Sequence, residues 1–253
     1  MKTGSPAFKA ILSSDWSECL SPSGPFDFIE YHFPPLAPAL GEIFRSYTGN
    51  RISLGEACRR IQAILPAPVT PEMMDAYLDS SFAAYRGVPE LIDWCLNRNI
   101  LFMINTTAMI GYFQRVFAKK LLPRVPVLSA NALLRYPAAK SDPGEILALA
   151  ETTDKGKHTQ AVVQKFAIPA ARVAVMGDSG GDGPHFEWGR NAGAFTIGSM
   201  TKHSLAAYCM ERSIAIDLRF GLSYAHAEVR DAEKEKRFDF MDLVEPLQSL
   251  LKQ

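Results

Sequence analysis

The chain has no long hydrophobic run. No stretch of about 18 apolar residues occurs, so no segment reads as a transmembrane helix. There is no excess of one charge. The 27 basic and 27 acidic side chains balance, which argues against a broad nucleic-acid-binding or membrane-binding face. Cysteine is sparse. Cys19, Cys58, Cys95 and Cys209 are widely spaced and form no metal-type pair, so the simplest expectation is reduced thiols in a cytoplasmic protein. The N-terminal residues Met1 to Phe8 lack the apolar stretch of a signal peptide. No internal repeat or low-complexity segment occurs. What is abundant is apolar surface: 47% of the residues are hydrophobic. That suffices for a sizeable core, in one large domain or a domain with an inserted module.

The most informative stretch is Val173-Ala-Val-Met-Gly-Asp-Ser-Gly-Gly-Asp-Gly-Pro-His-Phe186. A short apolar run ends in Gly177-Asp178, and a second acid, Asp182, follows four residues later among glycines. The run reads as a buried strand whose glycines let the backbone turn sharply. Ligand sites of open α/β sheets lie at the C-terminal ends of their strands. Two carboxylates held there suit a hard cation such as Mg²⁺.

The rest of the chain alternates between strand-like and helical segments. Phe8 to Leu12 reads as the first strand, and Ser21-Pro-Ser-Gly-Pro25 as a loop. From Phe26 to about Tyr85 the pattern is helical. Ser53 and Glu56 have capping-box spacing, and Thr70-Pro71 reads as a helix start. Further on, helices are expected over Glu90–Asn97, Ala108–Lys119 and Lys157–Phe166. Strands are expected over Ile100–Ile104, Val125–Leu128, Val173–Met176 and Ala194–Ile197, with loop or hairpin over Ala139–Thr153. This alternation predicts an α/β fold with a parallel, doubly wound sheet. The helical stretch 22–85 reads as a cap inserted into a core made of 1–21 and 86–253. The charge run Arg230–Arg237 reads as a solvated helix face, and Phe240–Leu251 as a closing amphipathic helix.

Taken in order, Asp15, Thr106, Lys155 and the pair Asp178/Asp182 resemble the four loop motifs of the haloacid dehalogenase superfamily. The small helical insert resembles its phosphoserine-phosphatase-like members. Arg51-Ile-Ser-Leu-Gly-Glu-Ala57, Leu65-Pro66, Arg86-Gly-Val-Pro-Glu-Leu-Ile92, Phe102-Met-Ile-Asn-Thr106 and Ala130-Asn131 are similar to segments of the 2-hydroxy-3-keto-5-methylthiopentenyl-1-phosphate phosphatases. The resemblance implies a Rossmann-like core, Mg²⁺ as cofactor and a small phosphorylated metabolite as substrate. It further implies that Asp15 is the nucleophile that becomes phosphorylated. Thr106 would donate to a phosphate oxygen, and Lys155 (with Lys157 as runner-up) would stabilise the charge. The metal would be held by Asp15, the Ser17 carbonyl and Asp178, with Asp182 bound directly or through water.

One departure bears on the chemistry. The family usually carries a second Asp two residues after the nucleophile, where this chain has Ser17. Serine is a poor general acid, and such proton transfer is typically worth about 10² to 10⁴ in rate. Glu18 stands where the family has Gly, and Cys19 where it has Thr. Three outcomes follow. A phosphatase could work with another acid such as Glu18, or on a substrate with a good leaving group. The chemistry could be carbon–phosphorus cleavage, as Asp15-Trp-Ser17 resembles the phosphonoacetaldehyde hydrolases. That class needs a cap lysine, and none lies between Lys9 and Lys119. Or the chain could be a catalytically impaired phosphometabolite-binding protein. A second register puts Ser13 at the nucleophile position and Asp15 at the acid position. In the cap, Arg51, Glu56, Arg59 and Arg60 are the charged candidates for substrate selection, each also readable as solvated helix surface. His185 follows the acid pair closely enough to border the pocket.

Overall fold

The computed structural model describes residues 8–48 and 51–251. The stretch Met1 to Ala7 lies outside the described residues. Seven parallel strands form one sheet in the order β4-β3-β2-β1-β5-β6-β7. They are β1 (Ala10–Ser14), β2 (Ile100–Met109), β3 (Val127–Asn131), β4 (Glu145–Leu149), β5 (Val173–Gly177), β6 (Phe195–Thr201) and β7 (Leu218–Ser223). The chain winds outward from β1 to β4, then returns to place β5 on the other side of β1. This is the doubly wound α/β architecture. Its switch point, where sites of such sheets lie, falls between β1 and β5. The central strands are short apolar runs because helices cover both faces. Every residue of β1 and β5 is buried, and Leu12 pairs with Phe102 on one side and Ala174 on the other.

Among the described residues, five α-helices separate β1 from β2: α1 (Asp27–His32), α2 (Ala37–Thr48), α3 (Leu54–Ile64), α4 (Pro71–Ser81) and α5 (Val88–Asn97). Ser53 caps α3 by accepting from the Glu56 N–H at 3.2 Å. The reciprocal half of the expected capping box does not form, because the Glu56 carboxylate turns to Arg59 and Arg60. Glu151 takes its place from the far end of β4. It accepts from the Leu54 and Gly55 N–H groups at 3.0 and 3.1 Å. A carboxylate is favoured at that helix end, so this contact pins α3 to the sheet. Thr70 caps α4 with Pro71 at its first position.

The later helices are α6 (Ile110–Ala118), α7 (Asp154–Phe166), α8 (Gly183–Ala192), α9 (His203–Glu211), α10 (Ala232–Glu235) and α11 (Val244–Leu251). α7 begins three residues earlier than its apolar pattern indicates. The third strand runs from Val127 rather than Val125, and the closing helix starts at Val244 after a 3-10 turn over Phe240–Leu243. Three expectations are corrected more substantially. The stretch 139–153, read as loop or hairpin, contains β4, a parallel edge strand paired with β3. Its half-exposed residues carry no clean alternation. β2 continues to Met109, where helix was expected from Ala108, because an irregularity between Asn105 and Met109 lets the strand rejoin β3. The charge run 230–237 is not a solvated face throughout. Glu235 is fully buried and pairs with Arg230, which is itself largely covered.

Among the described residues no helix is long and apolar enough to cross a membrane. All four cysteines are free thiols.

Candidate active site

β1 delivers Asp15 to the switch point. The Asp15 N–H donates to the Met176 carbonyl of β5 at 3.0 Å, which ties the strand end to its neighbour. The chain then turns tightly, with the Trp16 carbonyl accepting from the Cys19, Leu20 and Ser21 N–H groups. Trp16 anchors this turn by packing edge-on against Phe113, 5.7 Å between ring centres. Ser13 lies inside the strand, with its hydroxyl 2.9 Å from Thr159. Asp15 is therefore the acid at the strand tip, and Ser13 belongs to the hydrogen-bonded layer behind it.

Glu18 adopts the left-handed conformation, φ +58°. Glycine takes that conformation without cost, and other residues take it at roughly 1–2 kcal/mol. Here the strain is held by ion pairs. Glu18 bonds Lys202 and Arg230, the latter at 2.8 Å. Burial would raise its pKa, but these two cations hold it below the usual glutamate value.

β5 delivers Asp178, and the following turn delivers Asp182. The Asp182 carboxylate folds back over Gly177, where a Cβ would lie 2.4 Å from Asp182 Cγ. Only glycine leaves room for that return. Asp182 Oδ2 then accepts from the Asp178 and Ser179 N–H groups at 3.0 and 3.2 Å. Its Oδ1 accepts from Lys155 Nζ at 2.6 Å. Lys155, fully buried at the start of α7, also lies 3.3 Å from Asp15 Oδ2. Lys157 is exposed and pairs with Asp154, so the structure brings Lys155 to the cluster and leaves Lys157 outside it.

One carboxylate oxygen from each of Asp15, Asp178 and Asp182 lies within 4.8 Å of the others. Their environments differ. Burial raises the Asp15 pKa to about 6 against the pull of Lys155, with Asp182 pushing it further up. Asp182 is held below its usual range, because Lys155 and two N–H donors outweigh its burial. Burial pushes Asp178 well above the usual carboxylate range, although Lys202 opposes it. Lys202 Nζ stands 3.1 Å from Asp178 Oδ2 but out of hydrogen-bonding alignment, so neither Asp178 oxygen accepts a hydrogen bond. Thr106, buried near the end of β2, neighbours Asp15 and lowers its proton affinity. Ser17 is nearly buried in the turn, bridged to Ser21.

A buried carboxylate with two orphaned oxygens beside a second carboxylate is the donor set a hard divalent cation takes. The local charge agrees. Among the described residues, ion pairs join the five carboxyl groups of Asp15, Glu18, Asp178, Asp182 and Glu235 to three cations, Lys155, Lys202 and Arg230, so acids outnumber cations where a divalent ion would add positive charge. Both Asp182 oxygens are already engaged. Asp15 Oδ1 accepts from the Trp16 N–H at 2.7 Å and its Oδ2 faces Lys155, so Asp178 is the acid of the three with both oxygens free of hydrogen bonds.

Sequence reasoning missed three residues here. Tyr47 of α2 is nearly buried, with its hydroxyl 3.4 Å from where a Gly181 Cβ would stand. Burial raises its pKa, and Lys155, Asp15 and Asp182 are its charged neighbours. Lys202 and Arg230 are the other two, and nothing local in the chain marks any of them. Four expected residues, Glu56, Arg59, Arg60 and His185, lie elsewhere. Arg59 and Arg60 are exposed and paired with Glu56 on the surface of α3. His185 does not border the pocket as a loop residue. It is buried in α8, 3.0 Å from the Thr159 hydroxyl, and burial followed by Lys155 lowers its pKa to about 3.

No family model matches the chain, and no curated protein matches it. Solved structures do. A phosphoserine phosphatase carrying an analogue of its phospho-aspartyl intermediate superimposes with a TM-score of 0.64 at 14% identity, over 94% of this chain and 99% of the other. A substrate-bound phosphoserine phosphatase matches with a TM-score of 0.64 at 13% identity, over 94% and 98%. A haloacid dehalogenase family hydrolase from Salmonella enterica serovar Typhi matches with a TM-score of 0.61 at 13% identity, over 84% and 68%. The chain thus shares the fold of these solved phosphoserine phosphatases.

Proposed function

We propose that the protein is a divalent-metal-dependent phosphohydrolase acting on a small phosphorylated metabolite. The observation that carries this reading is the juxtaposition of Asp15, Lys155 and the orphaned Asp178 carboxylate at the switch point of the sheet. We take residues 22–85 as the cap over a core made of 1–21 and 86–253, a division supported by Tyr47 reaching the cluster from α2.

In this reading Asp15 and Asp178 would hold Mg²⁺, with the Ser17 carbonyl and Asp182 as the further residues that could contribute to its binding. When bound, the ion supplies neutralisation of phosphate charge that otherwise repels the nucleophile. Asp15 attacks phosphorus with one carboxylate oxygen, the ester oxygen leaves, and an aspartyl-phosphate forms that water later hydrolyses. Lys155 holds the Asp15 carboxylate ionised and faces the phosphoryl oxygens. Thr106 donates its hydroxyl to one of them. Asp182 positions Lys155 through the 2.6 Å contact.

The leaving oxygen has no ordinary acid beside it. Ser17 cannot act as one at neutral pH. Glu18 is kept ionised by Lys202 and Arg230. This favours substrates whose leaving group needs little proton assistance, such as an enol or acyl phosphate. The resemblance to the 2-hydroxy-3-keto-5-methylthiopentenyl-1-phosphate phosphatases is compatible with that preference but assigns no substrate. The same two residues support a second reading, a phosphometabolite-binding protein with impaired turnover.

Phosphate release across esters of graded leaving-group acidity, with Mg²⁺ and beside an Asp15→Asn control, separates the two. Turnover that the control abolishes supports the phosphohydrolase. Thermal stabilisation by phosphorylated ligands without turnover supports the binding protein.

A further inference from the structure

Behind the acidic cluster lies a layer of buried polar side chains that takes no part in the proposed chemistry. It consists of Ser13, Asn105, Thr159 and His185, all fully buried. Each stands within four residues of a site residue. Ser13 is two before Asp15, Asn105 is one before Thr106, Thr159 is four after Lys155, and His185 is three after Asp182. The four side chains meet at the Thr159 hydroxyl. It lies 2.9 Å from the Ser13 hydroxyl, 3.1 Å from Asn105 Nδ2 and 3.0 Å from His185 Nε2. Thr159 and Asn105 also both donate to the Lys155 carbonyl, each at 2.9 Å.

The donors and acceptors of this layer fix which nitrogen of His185 is protonated. Burial followed by Lys155 keeps the imidazole neutral, so one ring nitrogen donates and the other accepts. Nδ1 has no partner among the described residues. A buried lone pair without a partner is tolerated more readily than a buried N–H, which puts the proton on Nε2. Nε2–H then donates to Thr159, and the Thr159 hydroxyl gives its single proton to the Lys155 carbonyl. Ser13 donates to Thr159, and Asn105 donates to Ser13 and to the Lys155 carbonyl. Lys155 is thereby gripped at both ends from α8. Asp182, just before the helix, accepts from its ammonium at 2.6 Å, and His185, in the first turn, reaches its backbone carbonyl through Thr159. The helices are in close contact there. A Cβ at Gly156 would stand 2.7 Å from the Trp188 Cβ, and the Trp188 ring stacks on His185 with 6.0 Å between ring centres.

We propose that His185, acting through Thr159, is a positioning residue for the reaction: it fixes the first turn of α7 and so the placement of the Lys155 ammonium against Asp15. The proposal rests on the phosphohydrolase reading for the role of Lys155. The lysine stem is flexible, so Asp182 alone could follow a displaced backbone. The 3.3 Å separation from Asp15 is kept only if the turn itself stays in place.

The first test needs no variant. Nitrogen NMR of the full chain with isotopically labelled histidine should show His185 as the Nε2–H tautomer at neutral pH. An Nδ1–H tautomer or a doubly protonated ring overturns the proposal. The second test compares His185→Leu, which removes the donor, with His185→Gln, whose amide can donate from the same place. With Mg²⁺ and p-nitrophenyl phosphate, kcat should fall about 10- to 100-fold in His185→Leu with KM nearly unchanged, as for a misplaced catalytic group. His185→Gln should recover most of the loss. Thr159→Val keeps the shape, removes the hydroxyl and should behave as His185→Leu does. Where His185→Leu fails to fold, Thr159→Val and the tautomer decide. Unchanged kcat in either of these two variants, or an equal loss in His185→Leu and His185→Gln, overturns the proposal. A binding arm separates this from failure of the phosphohydrolase reading. Orthovanadate mimics the transition state of phosphoryl transfer, and its affinity with Mg²⁺ should fall about tenfold in His185→Leu and Thr159→Val but not in His185→Gln. That pattern with an inactive wild type sinks the catalytic reading and keeps the positioning role. Wild-type turnover that these variants leave unchanged does the reverse. A wild type that neither turns over nor binds orthovanadate overturns both.

Discussion

The Lys202 ammonium lies 3.1 Å from the Asp178 carboxylate while also pairing with Glu18. It joins the turn after β1 to the acid at the end of β5, and it supplies positive charge where a divalent cation would also be attracted. Removing it by Lys202→Met should lower the melting temperature without metal, since it leaves buried carboxylates uncompensated. The same variant should bind Mg²⁺ more tightly, on the order of tenfold, because a competing charge beside Asp178 is gone. Thermal unfolding across a Mg²⁺ titration reads both effects. An unchanged Mg²⁺ dependence would show that Lys202 does not sense the metal position.

Lys155 is buried between Asp15 and Asp182. Lys155→Met should abolish turnover and cost about 3–5 kcal/mol, as for breaking one side of a buried ion pair. Lys157→Met removes an exposed side chain and should change stability by less than about 0.5 kcal/mol. Denaturant unfolding of the two variants side by side checks the contrast.

Arg230 holds Glu18 and Glu235 together and donates 3.0 Å to the Glu18 carbonyl and 2.7 Å to the Tyr85 hydroxyl. Arg230→Met should destabilise the fold by several kcal/mol, about 3–5, because Glu235 is fully buried. Proteolysis should then cut first in the segment after β7, which this arginine ties to the core. Wild-type resistance of that segment in the variant would contradict the anchoring role.

His185 is neutral in the folded state, with its pKa lowered to about 3 by burial and then by Lys155. The unfolded chain binds a proton there near the ordinary value of about 6.5. Below that pH the unfolded state therefore gains protons that the folded state refuses, and stability from this group falls as pH falls. His185→Gln removes the effect. The stability difference between wild type and variant should be constant above about pH 6.5. Below it, the wild type should lose about 1.4 kcal/mol per pH unit relative to the variant, down to about pH 3. A pH-independent difference would contradict a buried neutral imidazole.

The legible parts of the sequence share one property: their signal is local. β1, β2, β5 and β6 read as buried apolar runs because parallel central strands have no polar face. The caps at Ser53 and Thr70 read from side chains that bond N–H groups three residues on. Asp15, Lys155, Asp178 and Asp182 could be singled out because each follows a strand or opens a helix, whereas Thr106 lies inside β2 and was marked by its place in the motif order. β4 and β7 escaped because edge strands are only partly covered, so neither an apolar run nor a clean alternation marks them.

What the chain alone determined is the order of the central strands and their helices and the positions where charged side chains would emerge. Their pairing was decided only by the folded structure. Glu18 meets Arg230 across 212 residues and Lys202 across 184, and Tyr85 meets Glu235 across 150. Nothing at any one of these positions distinguishes a buried partner from a solvated charge. The distinction arises when the doubly wound sheet brings the turns after β1, β5 and β6 together and removes the water between them. Only then does each carboxylate require a cation, and the fold determines which one lies within reach.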